Sequence, residues 1–239
     1  MSVRRIYLLH GLMGTAYAHF GVQIRRWHDD GPVPVDLPGH GRCRLDAAPS
    51  YSEQAMQYVE RILGRLGPGD VVAASYLGGP IAVSLAARRP DLVRSLVLCG
   101  TALPPDPKYV YSALRVFEKI APPDSELSAA YDNLHGTRWR QTLRHFAADP
   151  GLVAAMSEVN TSRLASLGLP VLICNGDLKQ VERESVERLV SEESDIEGRV
   201  VAGTGHLPSV DRPERFAEIV EEWRARSGRP MLAGRHARS

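Results

Sequence analysis

The sequence predicts an α/β protein with a doubly wound, mostly parallel sheet of about six strands and a helical insertion. Three observations carry this. Short apolar, β-branched runs recur along the chain. Longer segments of helical periodicity alternate with them. One connection, from Cys99 to Pro170, holds no clear strand pattern at all. Strands that are apolar without alternation imply burial on both faces, hence a parallel sheet covered by helices.

In chain order, the first strand pattern is Ile6-Tyr7-Leu8-Leu9, ended by His10-Gly11. The second is Val33-Pro34-Val35, ended by Asp36-Leu37-Pro38-Gly39. Val71-Val72-Ala73-Ala74 and Leu96-Val97-Leu98-Cys99 follow, then Val171-Leu172-Ile173-Cys174 and Arg199-Val200-Val201-Ala202. Helical patterns cover Thr15–His28, Ser52–Leu66, Leu77–Arg88, Arg183–Ser191 and Pro213–Arg226. This alternation is that of a doubly wound sheet. The long connection is rich in helix formers and broken by Pro104-Pro105, Pro122-Pro123 and Asp149-Pro150. A structureless loop of that length would be out of place in a compact domain. The expected organisation is therefore a core of residues 1–103 and 167–228 and a helical cap at 104–166. Residues 229–239, basic and without periodicity, are expected to be a flexible tail.

Composition narrows the function classes. The chain has 239 residues, 44% of them hydrophobic, enough for one well-buried core. Its 29 basic and 28 acidic residues nearly cancel, which gives no electrostatic reason to expect nucleic acid or a membrane surface as partner. Cys43, Cys99 and Cys174 form no C-x-x-C pair, and two lie in strand patterns, as small buried hydrophobes do. No signal-peptide pattern and no run of about 20 apolar residues is visible, so a cytoplasmic protein is expected. Neither H-E-x-x-H nor a cysteine–histidine cluster at metal-ligand spacing occurs, and no Gly-rich phosphate loop follows a strand. The expectation is a cofactor-independent protein.

Three motifs occur in order. His10-Gly11-Leu12-Met13-Gly14 follows the first strand, Asp36-Leu37-Pro38-Gly39-His40-Gly41 the second, and Gly203-Thr204-Gly205-His206-Leu207-Pro208 the last. Together they resemble the HG-x-x-G, D-x-P-G-x-G and histidine loop of the α/β-hydrolase superfamily, spanning nearly the whole chain outside the cap. The resemblance implies an active site at the strand ends. It makes His206 the base and the amides of Leu12 and Leu77 the oxyanion-hole donors.

The family's nucleophile elbow is G-x-S-x-G, a tight strand-to-helix turn whose residues two before and two after the apex are small. Here the segment is Ala73-Ala74-Ser75-Tyr76-Leu77-Gly78-Gly79. With Ser75 at the apex, Leu77 would occupy a cramped position. With Tyr76 at the apex, Ala74 and Gly78 fill both. Steric register therefore predicts Tyr76 at the apex, an atypical member with a phenol in place of the serine. An unperturbed phenol has a pKa of ~10 and is suited to proton donation or carbonyl polarisation.

The third member of the site departs from the pattern as well. In Asn175-Gly176-Asp177-Leu178-Lys179-Gln180, Lys179 falls where G-x-x-D expects the acid. Asp177 is then the candidate orienter of His206, with Asp106 a distant alternative and a solvated turn aspartate the plain reading. His10 and His40 read as parts of structural turns, and His135 and His145 as surface residues. Tyr109, Tyr111, Tyr131 and Trp139 either line a pocket for an apolar or ring-bearing substrate or simply pack the cap.

Two broken positions in one triad point away from an ordinary esterase. The expected function is acid–base chemistry by Tyr76 and His206 on a small carbonyl- or ester-bearing substrate, apolar or polyketide-like. An elimination in secondary metabolism is the leading form, since similar scaffolds serve as lyases and cyclases there. The alternatives are an ester or thioester hydrolase, with Tyr76 or an activated water as nucleophile, and a ligand-binding pseudoenzyme.

Overall fold

A computed structural model describes residues 5–191 and 196–227. The expected tail at 229–239 lies outside them. Six strands form one parallel sheet in the order β2-β1-β3-β4-β5-β6. They are β1 (Arg5–Leu9), β2 (Pro32–Val35), β3 (Gly69–Ala74), β4 (Val93–Cys99), β5 (Val171–Gly176) and β6 (Glu197–Val201). The sheet is flanked by α1 (Ala16–Arg26), α2 (Tyr51–Leu66), α3 (Ser75–Arg88), α9 (Gln180–Ser191), α10 (Pro208–Asp211) and α11 (Pro213–Ser227). Between β4 and β5 run α4 (Lys108–Ile120), α5 (Glu126–His135), α6 (Trp139–Ala148), α7 (Pro150–Ser157) and α8 (Thr161–Ser166).

Because side chains alternate along a strand, the sheet builds two cores. Ile6, Leu8, Val72, Val97 and Leu172 face α1 and α11, against Phe20, Phe216, Val220 and Trp223. Tyr7, Leu9, Val71, Ala73, Leu96, Leu98 and Ile173 face the other way, against α2, α3 and the helices after β4. Residues on both faces of the central strands are fully buried, which is why those strands read as unbroken apolar runs. Cys43, Cys99 and Cys174 are buried and free.

One charged pair is sunk into this packing. Asp70, fully buried in β3, accepts from Arg224 Nε at 3.0 Å and from Ser95 Oγ at 2.6 Å, tying α11 to the sheet. No described helix is long and apolar enough to cross a membrane.

Two helices begin two or three residues earlier than their periodicity predicts, and both differences fall at the carboxyl ends of strands. α3 starts at Ser75 rather than Leu77, directly after β3. α9 starts at Gln180 rather than Arg183, which brings Glu182 into its first turn. Since all strands run parallel, their carboxyl ends lie along one edge, where α/β sheets hold their ligands.

Candidate active site

The elbow is set by Ser75. It is the first residue after β3 and has φ 59°, one of three described non-glycine residues with positive φ. A non-glycine side chain in the left-handed region costs about 1–3 kcal/mol and persists only where the surroundings hold it. Ser75 Oγ lies 2.6 Å from His206 Nε2, and His206 Nδ1 lies 2.7 Å from Glu182 Oε1. A hydroxyl, an imidazole and a carboxylate thus form one hydrogen-bonded line.

The expectation of Tyr76 at the apex is corrected. Tyr76 is one step into α3, and its hydroxyl donates to Glu182 Oε1 at 2.9 Å. The steric argument failed because the tightest constraint is not local. A Cβ on Gly78 would sit 2.7 Å from the Leu9 carbonyl oxygen and 2.8 Å from that of His10. Gly78 is required by the crossing of α3 over β1, three positions after Ser75. Leu77, two positions after, has room and is fully buried in the core. The small partner at the turn itself comes from another loop: a Cβ on Gly11 would sit 2.8 Å from Ser75 Cβ.

The expectation for the acid is corrected too. Asp177 does not meet the His206 ring. Its Oδ1 accepts from the Thr204 amide at 3.1 Å, bracing the histidine loop from below. Hydrogen bonds from the Gly203 and Thr204 backbone hold its carboxyl below the ordinary aspartate range. Asp106 is exposed and accepts from the Lys108 amide at the start of α4. The acid that reaches His206 is Glu182, missed because no loop motif marks it. The only signal was an acidic residue one helical turn beyond the expected place, with a side chain long enough to reach back.

Glu182 is held through its own backbone. Asn175, at the end of β5, donates from Nδ2 to the Glu182 carbonyl at 2.9 Å and to the Thr101 carbonyl at 2.8 Å. Its Oδ1 accepts from the Thr101 amide at 3.1 Å. One fully buried amide side chain thereby fixes α9 against the end of β4. On the same edge, a Cβ on Gly176 would collide with the Thr204 and Gly205 carbonyls, so the β5 end and the histidine loop approach at glycine. Gly205 N donates to Asp211 Oδ2 at 2.7 Å, and Leu178 N to Thr204 O at 3.0 Å. His206 leaves this loop with its position set on both sides.

The loop after β1 is braced by histidines. His40 Nε2 accepts from Met13 N at 3.3 Å, and His19 Nδ1 from Gly11 N at 3.1 Å. His10 Nε2 accepts from Leu37 N at 2.9 Å, and His135 Nδ1 from Gly41 N at 3.0 Å. A ring nitrogen that accepts from an amide carries no proton, so all four rings are neutral. Burial pulls all four below the ordinary histidine range, His19 to about 3. His135, expected at the surface, is buried because its Nε2 reaches the Met13 carbonyl at 3.2 Å. These contacts fix the backbone around Leu12, the expected oxyanion donor.

Aromatic residues close the site. The Tyr76 ring stacks on His206 at 5.3 Å and 20°, and Tyr109 of α4 packs on Tyr76 at 4.3 Å. Burial pushes the Tyr109 phenol up to about 12. Tyr111 is exposed, and Trp139 is buried against Tyr131, donating to Asp132 at 2.9 Å. Of Tyr109, Tyr111, Tyr131 and Trp139, Tyr109 is the one that packs on Tyr76. No group of three or more metal-ligating side chains occurs among the described residues.

Comparison with known proteins agrees with this architecture. The chain is similar to NosK from Streptomyces actuosus, whose crystal structure superposes with a TM-score of 0.88. Identity is 44%, over 95% of this chain and 100% of that one. It is 41% identical over 101 residues to a pimeloyl-[acyl-carrier protein] methyl ester esterase of Neisseria meningitidis. That match spans 42% of this chain and only 38% of the relative. A protein of the same name from Yersinia enterocolitica is 27% identical, with 93% of both chains covered. The family model described as the alpha/beta hydrolase family matches residues 6–219. The chain therefore belongs to the α/β-hydrolase family.

Proposed function

We propose that the protein is a serine hydrolase of carboxylic esters or thioesters, with Ser75 as nucleophile, His206 as general base and acid, and Glu182 as the carboxylate that orients and charges His206. The carrying observation is the 2.6 Å contact between Ser75 Oγ and His206 Nε2 at a residue held in the left-handed region. Ser75 Oγ attacks the substrate carbonyl carbon as its proton passes to Nε2. The carbonyl oxygen becomes an oxyanion, received by backbone amides. With Ser75 at the apex, the donor after the nucleophile is Tyr76 N, one residue before the Leu77 amide first expected, and Leu12 N remains its partner. Collapse of the intermediate breaks the ester or thioester bond, and the leaving group takes the proton from Nε2. Water then attacks the acyl-Ser75 carbonyl by the same relay and regenerates the hydroxyl.

The elimination expected from a phenol at the apex has lost its premise, because the Tyr76 hydroxyl is engaged by Glu182. Tyr109 packs on Tyr76, the residue after Ser75, and this aromatic pair supports an apolar or ring-bearing acyl group. The names of the curated relatives make an acyl group carried on a carrier protein a natural substrate to assay.

The test is a fluorophosphonate probe with intact-protein mass spectrometry and peptide mapping. The expected result is one adduct per chain on Ser75, lost in Ser75→Ala together with hydrolysis of p-nitrophenyl butyrate. Label on Tyr76, or esterase activity surviving in Ser75→Ala, overturns the assignment.

A further inference from the structure

The geometry points to Tyr76 as a positioning residue that shares the Glu182 carboxylate with His206 and so sets how firmly that carboxylate holds a proton on the imidazole. Two donors converge on one oxygen: Tyr76 Oη at 2.9 Å and His206 Nδ1 at 2.7 Å both reach Glu182 Oε1. The other oxygen, Oε2, is buried and has no hydrogen-bond partner. A carboxylate with four acceptor sites is thus served by two donors on one side. The carboxylate itself is 95% screened from water, its side chain being 5% exposed. Neither donor is readily replaced by solvent.

The phenol is well placed for this role. Its ring lies nearly parallel to the imidazole, stacked on it on one side and packed by Tyr109 on another. These two ring contacts hold Tyr76 with its hydroxyl on Oε1. Burial, followed by the Glu182 charge, raises the Tyr76 pKa far above the ordinary phenol value, so it remains a donor at every working pH. The hydroxyl lies on the carboxylate, behind the imidazole as seen from Ser75.

A hydrogen bond to a charged acceptor draws charge from it. With the phenol in place, Oε1 divides its charge between two protons. Without it, the full charge falls on His206 Nδ1–H and holds the imidazolium more tightly. Behind the effect of burial, the Glu182 charge also raises the Tyr109 phenol of α4 and the Cys99 thiol of β4, and the His206 charge lowers His19 of α1. All three are neutral at working pH, so they leave the phenol as the main modulator of the pair.

The inference rests on the Ser75 assignment, and its test is separable from it. In Tyr76→Phe, which keeps the ring and its stacking, the acid limb of the kcat/KM profile for p-nitrophenyl butyrate should move upward by about half a pH unit or more. KM should stay unchanged, because the hydroxyl does not touch substrate. In a Glu182→Gln background the same substitution should leave the limb in place, as a double-mutant cycle requires. The His206 Nδ1 proton resonance, read by NMR without substrate, should persist to higher pH in Tyr76→Phe. An acid limb and a resonance both unmoved, or moved to lower pH, overturn the inference. If the resonance shifts as expected while Ser75→Ala retains activity, the Ser75 assignment fails and the Tyr76–Glu182–His206 coupling stands.

Discussion

Replacing Glu182 by Gln keeps the shape of the site and removes its charge. The Gln side-chain oxygen can still accept from His206 Nδ1, so the imidazole keeps its tautomer and orientation. What disappears is the attraction between the carboxylate and the imidazolium that the proposed attack by Ser75 forms. The two groups touch at 2.7 Å, with side chains 5% and 30% exposed for Glu182 and His206. Taking the charge centres as roughly 4 Å apart and an effective dielectric of about 20, the attraction is about 4 kcal/mol. At 1.36 kcal/mol per decade, that is a loss of about 10³ in kcat/KM. Glu182→Asp separates distance from charge. One methylene fewer withdraws the oxygens by about 1.5 Å, so the contact opens and an intermediate loss, about 10²-fold, is expected. Asp177→Asn is the comparison that decides the acid. Its carboxylate serves the Thr204 amide, so the loss should stay within about threefold, typical of changes that add no buried unpaired charge. The assay is p-nitrophenyl butyrate hydrolysis across pH, with active sites titrated by the fluorophosphonate. The reasoning is refuted if Asp177→Asn costs more than Glu182→Gln, or if Glu182→Gln loses less than tenfold.

Three further outcomes follow from the same contacts. Gly78→Ala should fold poorly or lose activity, because its Cβ would press on the Leu9 and His10 carbonyls. A variant with unchanged melting temperature and rate would contradict the crossing constraint on α3. Asp70→Ala leaves Arg224 without its buried carboxylate and should destabilise by about 3–5 kcal/mol in urea unfolding. A loss under 1 kcal/mol would mean that the pair adds nothing. Acid should unfold the protein early. His10, His19, His40 and His135 titrate below their ordinary value when folded, so the unfolded chain takes up their protons first. Their stabilisation is complete above about pH 6.5 and is lost as pH falls, at up to about 1.4 kcal/mol per pH unit for each. Urea midpoints should drop steeply from about pH 6 toward pH 4; a flat profile from pH 7 to pH 5 would refute the neutral-histidine network.

The number of strands, their parallel direction and the loop that carries His206 were legible because each depends on local pattern. An apolar run between turn residues specifies a doubly buried strand whatever lies beside it. Gly203-Thr204-Gly205-His206 specifies a loop ending in a histidine before a helix. The small residues of the elbow were also visible, but not what they are small for. Gly78 answers to the carbonyls of Leu9 and His10, nearly seventy positions away, and the small residue beside Ser75 is Gly11 of the first loop. Reading Ala74 and Gly78 as the small flanks of a local turn displaced the apex by one residue, from Ser75 to Tyr76. Glu182 was hidden for a related reason. Its function depends on α9 starting at Gln180 and on Asn175 clamping its backbone, neither of which has a periodic signature. The sequence by itself determined the layered sheet and the loops at the carboxyl ends of its strands, because hydrophobic period and turn chemistry act over a few residues. Only the tertiary structure decided which hydroxyl meets the imidazole and which carboxylate stands behind it, because those contacts join segments that are distant in the chain and are selected by backbone crossings within a few ångströms.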